Sequence, residues 1–566
     1  MTYNTWKHPY EYNPKFSKRV AYFCMEFAIH QPLKIYSGGL GYLAGSHMRS
    51  AYDLQQNMIG IGMLWKHGYY DQTRNADKSM HVLFQNKAYN YLQDVDIMIP
   101  IYVNRHQVYV KVYCLRPETF GTVPIYLLST DIPENDHLAQ TITHKLYDKE
   151  TSARIAQNIV LGVAGAKLVE ILGGADVYHM NEAHALPLAF HLYSQYKSVE
   201  KVREHLTFTT HTPEKAGNEE HPIELLDKMG FFGTVPLQEA RKITGIYDDS
   251  FSHSLAALRL AKIANGVSQL HGEVSREMWG DFTGIAPITA ITNSQNKKYW
   301  VDAKLEAALQ NGDDEALIKR KKHLKAWLFE TVADQTGKIF NPDVLTIVWA
   351  RRFAEYKRAD LLLHDINRFN RIISNTERPV QIIWAGKPYP FDTYAISVFN
   401  HLVKYTQKFP NCAVLTGYEL SLSKLLKMGA DVWLNTPRRP REASGTSGMT
   451  AAMNGAVNAS INDGWIPEFV KNGHNGFILP IAAIDAEGHY DEIDNFDAKN
   501  LYAMLENEVI ATYYQEPKKW LEIVKNGMKE VVPFFDADRM ATEYYDRLYN
   551  YVYQDSKKAN TVVGLN

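Results

Sequence analysis

The chain has 566 residues, of which 22% are charged, and its formal net charge at pH 7 is −2. A chain of this length exceeds what one hydrophobic core supports, so we expect two large domains. The near-neutral charge gives no electrostatic reason to expect nucleic acid or an anionic membrane as a partner. The three cysteines form neither a metal-ligand pattern nor a disulfide framework. With no apolar leader and no apolar run of roughly 18 residues, the sequence favours a cytoplasmic protein.

The first predicted element is a buried strand at residues 20–25, and a glycine-rich loop follows it at residues 35–45. A helix and a second apolar strand then complete a βαβ unit, which places the loop at the phosphate-binding end of the unit. Gly38 and Gly39 in this loop are therefore candidate substrate-binding residues. The glycine spacing differs from the dinucleotide fingerprint, so the motif does not indicate NAD.

Alternating apolar and polar residues from 94 to 131 predict an antiparallel elaboration of the first sheet. A later strand at residues 206–211 ends in His211. A polar residue at the carboxyl end of a strand in an α/β sheet is placed toward the binding crevice. His211 is therefore a candidate for contact with a substrate.

A basic cluster follows the buried strand predicted at residues 346–349. Four basic residues lie within eight positions: Arg351, Arg352, Lys357 and Arg358. A solvated surface would explain such a cluster, but its position directly after a strand places it at the crevice edge of the sheet. Arginine offers forked donors and lysine a mobile charge, the two usual ways of holding phosphate. Alternating strands and helices after this cluster predict a second doubly wound sheet.

A loop of glycine, serine and threonine at residues 438–448 lies between a predicted strand at 431–435 and a helix that begins near Met449. Such a loop forms an anion site, because free backbone N–H groups and the positive end of the helix converge there. Glu442 lies where a carboxylate can accept sugar hydroxyls. The alternative is an ordinary strand-to-helix loop with a serine or threonine cap.

The stretch Glu442-Ala-Ser-Gly-Thr446, followed by Met449 and Asn454-Gly455, resembles the signature region of the α-glucan (glycogen, starch and maltodextrin) phosphorylases. The glycine loop and the basic cluster match the same family in the same order, and the shorter bacterial and archaeal members are the most similar. The resemblance implies an α/β fold with two doubly wound Rossmann-like domains that face a central cleft, the GT-B glycosyltransferase architecture. We expect residues 1–295 to form the acceptor and glycine-loop domain, and residues 296–566 to form the donor domain with C-terminal helices.

The resemblance also implies a role for each matched residue. Donor-sugar contacts match His211, Asn293, Tyr356, Glu442, Ser444 and Gly445. Phosphate contacts match Gly39, Arg352 and Lys357, and Thr446 matches a contact to the cofactor phosphate. His211, Arg352, Lys357 and Glu442 are the catalytic candidates. The implied partners are an α-glucan or maltooligosaccharide and phosphate or a sugar phosphate, and homodimers are common in the family.

Thr450 is the main departure from the family. Its members carry at this position the lysine that holds pyridoxal phosphate as a Schiff base. Threonine has no amine, so we expect no covalent attachment of this cofactor. Lys424 and Lys427 are near in sequence, but they are predicted to be surface residues of a short helix.

Three hypotheses remain open. The first, which we favour, is a retaining glucosyltransferase of the phosphorylase type that interconverts α-1,4-glucan and phosphate with glucose 1-phosphate, without covalently bound pyridoxal phosphate. The second is a transferase that resembles glycogen synthase, in which a nucleotide sugar fills the emptied cofactor site. The third is a glucan-binding protein with no turnover.

Overall fold

The computed structural model describes residues 4–483 and 488–553, which form both strands and helices. The strands are β1 (Val20–Phe23), β2 (Met58–Met63), β3 (Asp71–Arg74), β4 (Met80–Leu83), β5 (Gln93–Val103), β6 (His106–Leu115), β7 (Ile125–Ser129), β8 (Val177–Asn181), β9 (Leu206–Thr209), β10 (Glu220–Pro222), β11 (Ser250–Ser252), β12 (Ile263–Gly266), β13 (Ile288–Ala290), β14 (Leu345–Ala350), β15 (Val380–Ala385), β16 (Cys412–Leu415), β17 (Val432–Asn435), β18 (Val457–Ser460) and β19 (Gly476–Ile478).

The helices connect these strands and form the C-terminal part of the described chain. They are α1 (Gly39–Asp53), α2 (Pro117–Phe120), α3 (His137–Thr141), α4 (Thr151–Ile159), α5 (Gly165–Ile171), α6 (Pro187–Tyr196), α7 (Val199–His205), α8 (Ile223–Met229), α9 (Leu237–Thr244), α10 (His253–Leu260), α11 (Gln269–Trp279), α12 (Lys297–Trp300), α13 (Ala303–Gln310), α14 (Asp314–Thr336), α15 (Ile366–Ile373), α16 (Thr393–Thr406), α17 (Leu420–Gly429), α18 (Ser447–Met453), α19 (Ile466–Phe469), α20 (Tyr490–Met504), α21 (Ile510–Gln515), α22 (Pro517–Phe535) and α23 (Ala537–Glu543). Across the described residues, no helix has both the length and the apolar character needed to cross a bilayer.

The first large sheet contains nine strands in the order β13-β12-β9-β8-β1-β2-β7-β6-β5. The strands from β13 to β7 are parallel neighbours, whereas β6 and β5 form an antiparallel extension at one edge. This confirms the antiparallel elaboration predicted for residues 94–131. The strand order reverses between β1 and β8, because strands β2 to β7 extend the sheet on one side of β1, and the later strands β8, β9, β12 and β13 extend it on the other side. Ligands of open α/β sheets bind outside the carboxyl ends of the strands at such a reversal.

The second large sheet contains six parallel strands in the order β16-β15-β14-β17-β18-β19. Its order reverses between β14 and β17. The basic cluster follows β14, and the loop with Glu442 follows β17. The topology therefore brings the two candidate motifs of this half of the chain to the same edge of one sheet.

Side chains of the second sheet alternate between two hydrophobic clusters. Ile347 and Trp349 of β14 belong to one cluster, whereas Val348 and Ala350 belong to the other. Successive side chains of a strand point to opposite faces of its sheet, so both faces are covered. Parallel strands buried on both faces are continuous apolar runs, which is why the sequence predicted them as buried. The chain has the α/β fold class that was predicted.

The described residues divide into two compact units. One unit contains residues 4–69, 85–293 and 537–553, and the other contains residues 70–84, 294–483 and 488–536. The short sheet of β3 and β4 thus belongs to the second unit, where Met80 joins the core of the second large sheet. α23 belongs to the first unit, where it packs against α1. The division at residue 296 into an acceptor domain and a donor domain stays a prediction.

Candidate functional site

The loop after β1 is held by the buried carboxylate of Glu26. Its side chain accepts hydrogen bonds from the backbone N–H groups of Ser37 at 2.6 Å and Gly38 at 3.1 Å, and from the Tyr147 hydroxyl at 2.8 Å. Burial nevertheless raises the pKa of Glu26. Gly38 and Gly39 lie at the start of α1, and a Cβ added at either would meet no described atom within 4 Å beyond its chain neighbours. The loop is therefore fixed from its buried side and open at the two glycines.

His211 lies two residues after β9, beside the residues that end and follow β8. Its Nε2 is 2.7 Å from Oδ1 of Asn181, and its backbone N–H donates to Oε2 of Glu182 at 2.8 Å. Burial lowers the pKa of His211 to about 3, so the ring is neutral near pH 7. Burial also raises the pKa of Glu182 to about 7, and the φ of this residue is +73°. A positive φ is uncommon outside glycine, and such strain is concentrated at functional positions.

Asn293 follows β13 and is 4% exposed. Its backbone N–H donates to the carbonyl of Val267 at 3.0 Å. Its side-chain Oδ1 is buried and has no hydrogen-bond partner within the described residues. An unpaired buried acceptor costs about 1–3 kcal/mol, so this oxygen is suited to accept a hydrogen bond from a ligand.

A second group of side chains, here called the acid–base cluster, consists of Arg351, Lys357 and Glu442. Lys357 Nζ and Arg351 Nη1 lie 2.6 Å and 3.1 Å from Oε2 of Glu442. Burial alone would raise the pKa of Glu442, but the charges of Lys357 and Arg351 outweigh it and lower that pKa. The cluster therefore holds one ionised carboxylate and two cations. Its excess positive charge can attract a further anion.

The two predicted phosphate residues differ in burial. Lys357 is 8% exposed, whereas Arg352 is exposed and makes a smaller contribution to the lowered pKa of Glu442. Arg351 was predicted only as a member of the basic cluster, with no individual role, yet it occupies the buried position that contacts Glu442. Its Nε is buried and lacks a hydrogen-bond partner in the described part of the chain. Tyr356 is half-buried, and its ring centroid lies 4.9 Å from Lys357 Nζ.

Asp463, which follows β18, fixes the backbone of Glu442. Its Oδ2 accepts from the N–H of Glu442 and its Oδ1 from the N–H of Gly464, both at 2.9 Å. Gly464 has a φ of +62°, and a Cβ there would lie 2.4 Å from the carbonyl oxygen of Ser444. The same carbonyl accepts from the N–H of Trp465 at 3.0 Å. Residues 463–465 therefore clamp the loop that carries the predicted sugar contacts.

We expect Asp463 to make the stability of the protein fall as pH rises toward neutrality. Burial and the charge of Glu442 raise its pKa from 3.8 to about 7. The folded state therefore binds this proton more tightly than the unfolded state, so its stabilisation is complete below about pH 4 and is lost by about pH 7. A shift of roughly three pKa units corresponds to about 4 kcal/mol. Urea unfolding at several pH values should show a steeper decrease in stability for the wild type than for Asp463→Asn, because Glu182 and Glu26, whose pKa values are also raised, titrate in both proteins. Parallel pH dependences in the two proteins would contradict the prediction.

The candidate residues before and within α18 differ in burial and in hydrogen bonding. Ser444 is buried, and no described residue hydrogen-bonds to its hydroxyl. Gly445 has a φ of +88°, a conformation that favours glycine. The carbonyl of Thr446 accepts from the N–H of Thr450 at 3.5 Å. Thr450 is fully buried, and its hydroxyl donates to the carbonyl of Ser447 at 3.1 Å. The residue at the family's lysine position is thus engaged within its own helix.

The prediction that Lys424 and Lys427 are surface residues is wrong for Lys427. Lys427 is 1% exposed, and its Nζ lies 3.8 Å from the ring centroid of Trp300. Lys424, one turn earlier, is half-buried, and its Nζ lies 5.0 Å from the ring centroid of Tyr299. Their helix, α17, packs against both α14 and α18, so more of its surface is covered than its sequence pattern indicates.

Two buried arginines tie the loops of the acid–base cluster to α20. Arg358, next to Lys357, donates to Asp494 at 2.7 Å and to Asp497 at 2.8 Å. Arg438, in the loop after β17, donates to the two carboxylate oxygens of Asp494 at 2.9 Å and 2.6 Å. Asp494 is thus shared by the two loops that carry the cluster, although no sequence pattern predicted a role for it.

Comparisons with known proteins identify the family. The family model described as carbohydrate phosphorylase matches residues 289–479, which include the acid–base cluster and Asp463. An uncharacterized protein of Methanocaldococcus jannaschii is 47% identical over 94% of this chain and 100% of its own length. A maltodextrin phosphorylase of Thermococcus litoralis is 34% identical over 95% of this chain and 71% of its own length. A glycogen phosphorylase of Mycobacterium tuberculosis is 33% identical over 94% of this chain and 70% of its own length. The resemblance predicted from the motifs is confirmed, and the chain belongs to the carbohydrate phosphorylase family.

Proposed function

We propose that this protein is a retaining glucosyltransferase that interconverts α-1,4-glucan and phosphate with glucose 1-phosphate. The observation that carries the proposal is the acid–base cluster, where buried Arg351 and Lys357 flank the ionised carboxylate of Glu442. The excess positive charge suits a phosphate group, and the carboxylate suits sugar hydroxyls. The relatives named above act, by their names, on maltodextrin and glycogen, which supports an α-glucan as the substrate. We place the reaction in the cytoplasm, because the cysteine usage favours a reducing compartment.

The proposal assigns each candidate residue a task. Lys357 and Arg352 hold the phosphate of glucose 1-phosphate, and the backbone at Gly38 and Gly39 approaches the same phosphate. The sugar contacts are His211, Asn293, Tyr356, Glu442, Ser444 and Gly445. We also propose the domain arrangement that the family resemblance implies: residues 1–295 and residues 296–566 each form a doubly wound domain, and the two domains face a central cleft.

The charges of these residues suit an oxocarbenium-like transition state. The anionic phosphate lies beside the developing positive charge of the sugar and stabilises it, while Lys357 keeps that phosphate in position. A cation near the sugar ring would oppose this stabilisation. The low pKa of His211 avoids this problem, because the neutral ring donates its Nε2–H to Asn181 and leaves Nδ1 to accept from a sugar hydroxyl without adding positive charge.

The family's cofactor does not fit residue 450 as a covalent anchor. The Thr450 side chain offers a hydroxyl, which cannot form the carbon–nitrogen double bond of a Schiff base. When bound, pyridoxal phosphate supplies a phosphate group that exchanges a proton with the substrate phosphate. Thr446 is the residue of this chain that would contact the cofactor phosphate. The proposed reaction thus requires no amine at residue 450.

A donor comparison on the purified protein tests the proposal. Maltoheptaose is offered together with glucose 1-phosphate in one reaction and with nucleotide-glucose donors in others. We expect chain extension and phosphate release with glucose 1-phosphate. Release of a nucleoside diphosphate instead would favour the transferase that resembles glycogen synthase. Glucan binding without turnover of any donor would favour the binding protein.

A further inference from the structure

A cavity of about 180 Å³ lies in the second unit, away from the residues to which the proposed reaction gives a task. One wall is α15 with the turn that follows it. The other wall is the helical run that begins with α20, continues through residues 505–509 and ends with α21. The lining residues are Arg371, Ile372, Asn375, Arg378, Glu506 and Ile510. Pockets for drug-sized ligands begin at roughly 300 Å³, so this cavity suits a small ligand.

The cavity and the acid–base cluster lie at opposite edges of the second sheet. Arg378 lies two residues before β15, whereas Arg351 directly follows β14. The two strands are parallel neighbours whose residues pair one to one along their full length. A strand of this length spans about 20 Å, so a small ligand in the cavity does not reach the acid–base cluster.

Two arginines of the lining have no partner for their charge. Within the part of the chain that the structure describes, the guanidinium groups of Arg371 and Arg378 make no hydrogen bond and no ion pair. Glu506 is an acidic residue of the lining, but Arg368, outside the lining, donates to both of its carboxylate oxygens at 2.7–3.1 Å. Arg368 therefore compensates the charge of Glu506, and the lining keeps an excess of two positive charges.

Asn375 adds a neutral donor to this cavity. Its Oδ1 accepts from the backbone N–H groups of Glu377 and Arg378, both at 2.9 Å, and these two bonds fix the orientation of the amide. Its NH₂ group has no acceptor among the described residues and is available to a ligand. Ile372 and Ile510, which are 8% and 5% exposed, form the apolar part of the lining. Apolar surface strengthens adjacent charged hydrogen bonds, because water screens them less.

These groups match the chemistry of a phosphate monoester. Such a group carries about 1.5 to 2 negative charges near pH 7 and three strong acceptor oxygens. Arginine can donate to two oxygens of one phosphate at once. The two guanidinium groups therefore balance the charge, and the Asn375 amide supplies a further donor. A monocarboxylate carries one charge and two oxygens, so it would leave one arginine uncompensated.

We propose that this cavity is a second anion site, which binds a small phosphate monoester away from the acid–base cluster. The helical run that forms one wall also carries Asp494, which accepts from Arg358 and Arg438 in the loops of the cluster. A ligand that contacts both this run and α15 therefore stabilises the helix to which those loops are tied. The site is independent of the proposed reaction, and its test requires no turnover.

Equilibrium dialysis of the purified full-length chain with radiolabelled inorganic phosphate, in about 0.15 M salt, tests this inference. We expect two phosphates per wild-type chain, one in the cavity and one at the acid–base cluster. Arg371→Met combined with Arg378→Met should raise the Kd of one site about 10-fold or more, because two charge-assisted contacts are lost. Lys357→Met should instead remove the phosphate at the acid–base cluster and leave the one in the cavity.

A matched pair of substitutions controls for the loss of two positive charges. Lys518→Met combined with Lys529→Met removes two exposed cations of α22 that lie outside the lining, and both phosphates should remain. Arg371→Lys combined with Arg378→Lys retains the charges and should retain part of the affinity. Thermal unfolding verifies that each variant folds.

Competition in Lys357→Met, in which the cavity is the remaining site, tests the class of ligand. Ribose 5-phosphate and glycerol 3-phosphate are offered as competitors, and displacement of the labelled phosphate by either supports a monoester site. The inference is overturned if neither competitor displaces it. It is also overturned if the α22 variants weaken binding as much as the arginine variants, or if Lys357→Met binds no phosphate.

Failure of this inference and failure of the proposed function give different results. A phosphate that persists in Lys357→Met and is lost from the arginine variant supports the second site, whatever the turnover. The same result without turnover of glucose 1-phosphate would reject the proposed function alone. Turnover of glucose 1-phosphate with no phosphate bound in Lys357→Met would reject the second site alone.

Discussion

Replacing Lys357 with methionine should lower turnover of glucose 1-phosphate by about 100- to 1,000-fold, the usual cost of removing one preorganised donor. Lys357 Nζ lies 2.6 Å from Glu442, and its side chain is 10% exposed, so water screens its charge only weakly. Methionine retains an extended apolar side chain but removes the ammonium group. Glu442 is then paired with Arg351 alone, and the acid–base cluster loses its excess positive charge. Steady-state phosphate release with maltoheptaose as the acceptor measures the effect.

Two further variants show whether charge or packing causes the loss. Lys357→Arg retains the positive charge and should retain more activity than Lys357→Met. Lys519→Met removes a lysine that is 51% exposed and whose ion pair within the described residues is with nearby Glu516, so turnover should not change. Equal turnover in wild type and Lys357→Met would contradict the phosphate role of Lys357.

Strands of the second sheet could be predicted because their information is local. The run at residues 346–349 was predicted as a buried strand, and it lies within β14. Burial on both faces makes each parallel strand a continuous apolar run, which requires no knowledge of its partners. Assignment of residues 70–84 to the second unit could not be predicted in this way. It depends on contacts distant in sequence, such as the hydrogen bond from the N–H of Met80 to Oδ1 of Asn400.

The candidate site, like the fold, could be predicted only where the information is local in sequence. Lys357 and Glu442 were found because both follow buried strands, and polar residues at that edge are exposed to ligands. Glu26 and Asp463 were missed because their carboxylates accept from backbone N–H groups elsewhere in the chain, and a sequence pattern does not show such contacts. Lys427 was wrongly assigned to the surface because two helices from other parts of the chain cover it. Tertiary contacts thus determined each of these differences.

A large loss of stability is expected from Asp494→Asn, because this carboxylate serves two buried arginines. Arg358 and Arg438 contact it at 2.7 Å and 2.6 Å, and their side chains are 2% and 10% exposed. Removing one partner of a buried ion pair costs about 3–5 kcal/mol, since the remaining charge stays out of water. Arg358 retains Asp497, and Arg438 retains Glu355. We therefore expect the lower end of that range, about 3 kcal/mol, as a decrease in the free energy of unfolding in urea.

Glu506→Gln is the matched control for Asp494→Asn. The Glu506 and Arg368 side chains of this ion pair are 30% and 22% exposed, so the substitution should lower the free energy of unfolding by less than about 1 kcal/mol.

The pH dependence of unfolding gives a second test of the ionic role of Asp494. Burial alone would raise the pKa of Asp494, but Arg438 and Arg358 outweigh it and lower that pKa. This stabilisation is therefore complete above the unfolded-state pKa of about 3.9, and it is lost as pH falls through the lower folded-state value. The difference between wild type and Asp494→Asn should shrink over that interval, and a difference that does not change with pH would contradict the ionic origin of the effect.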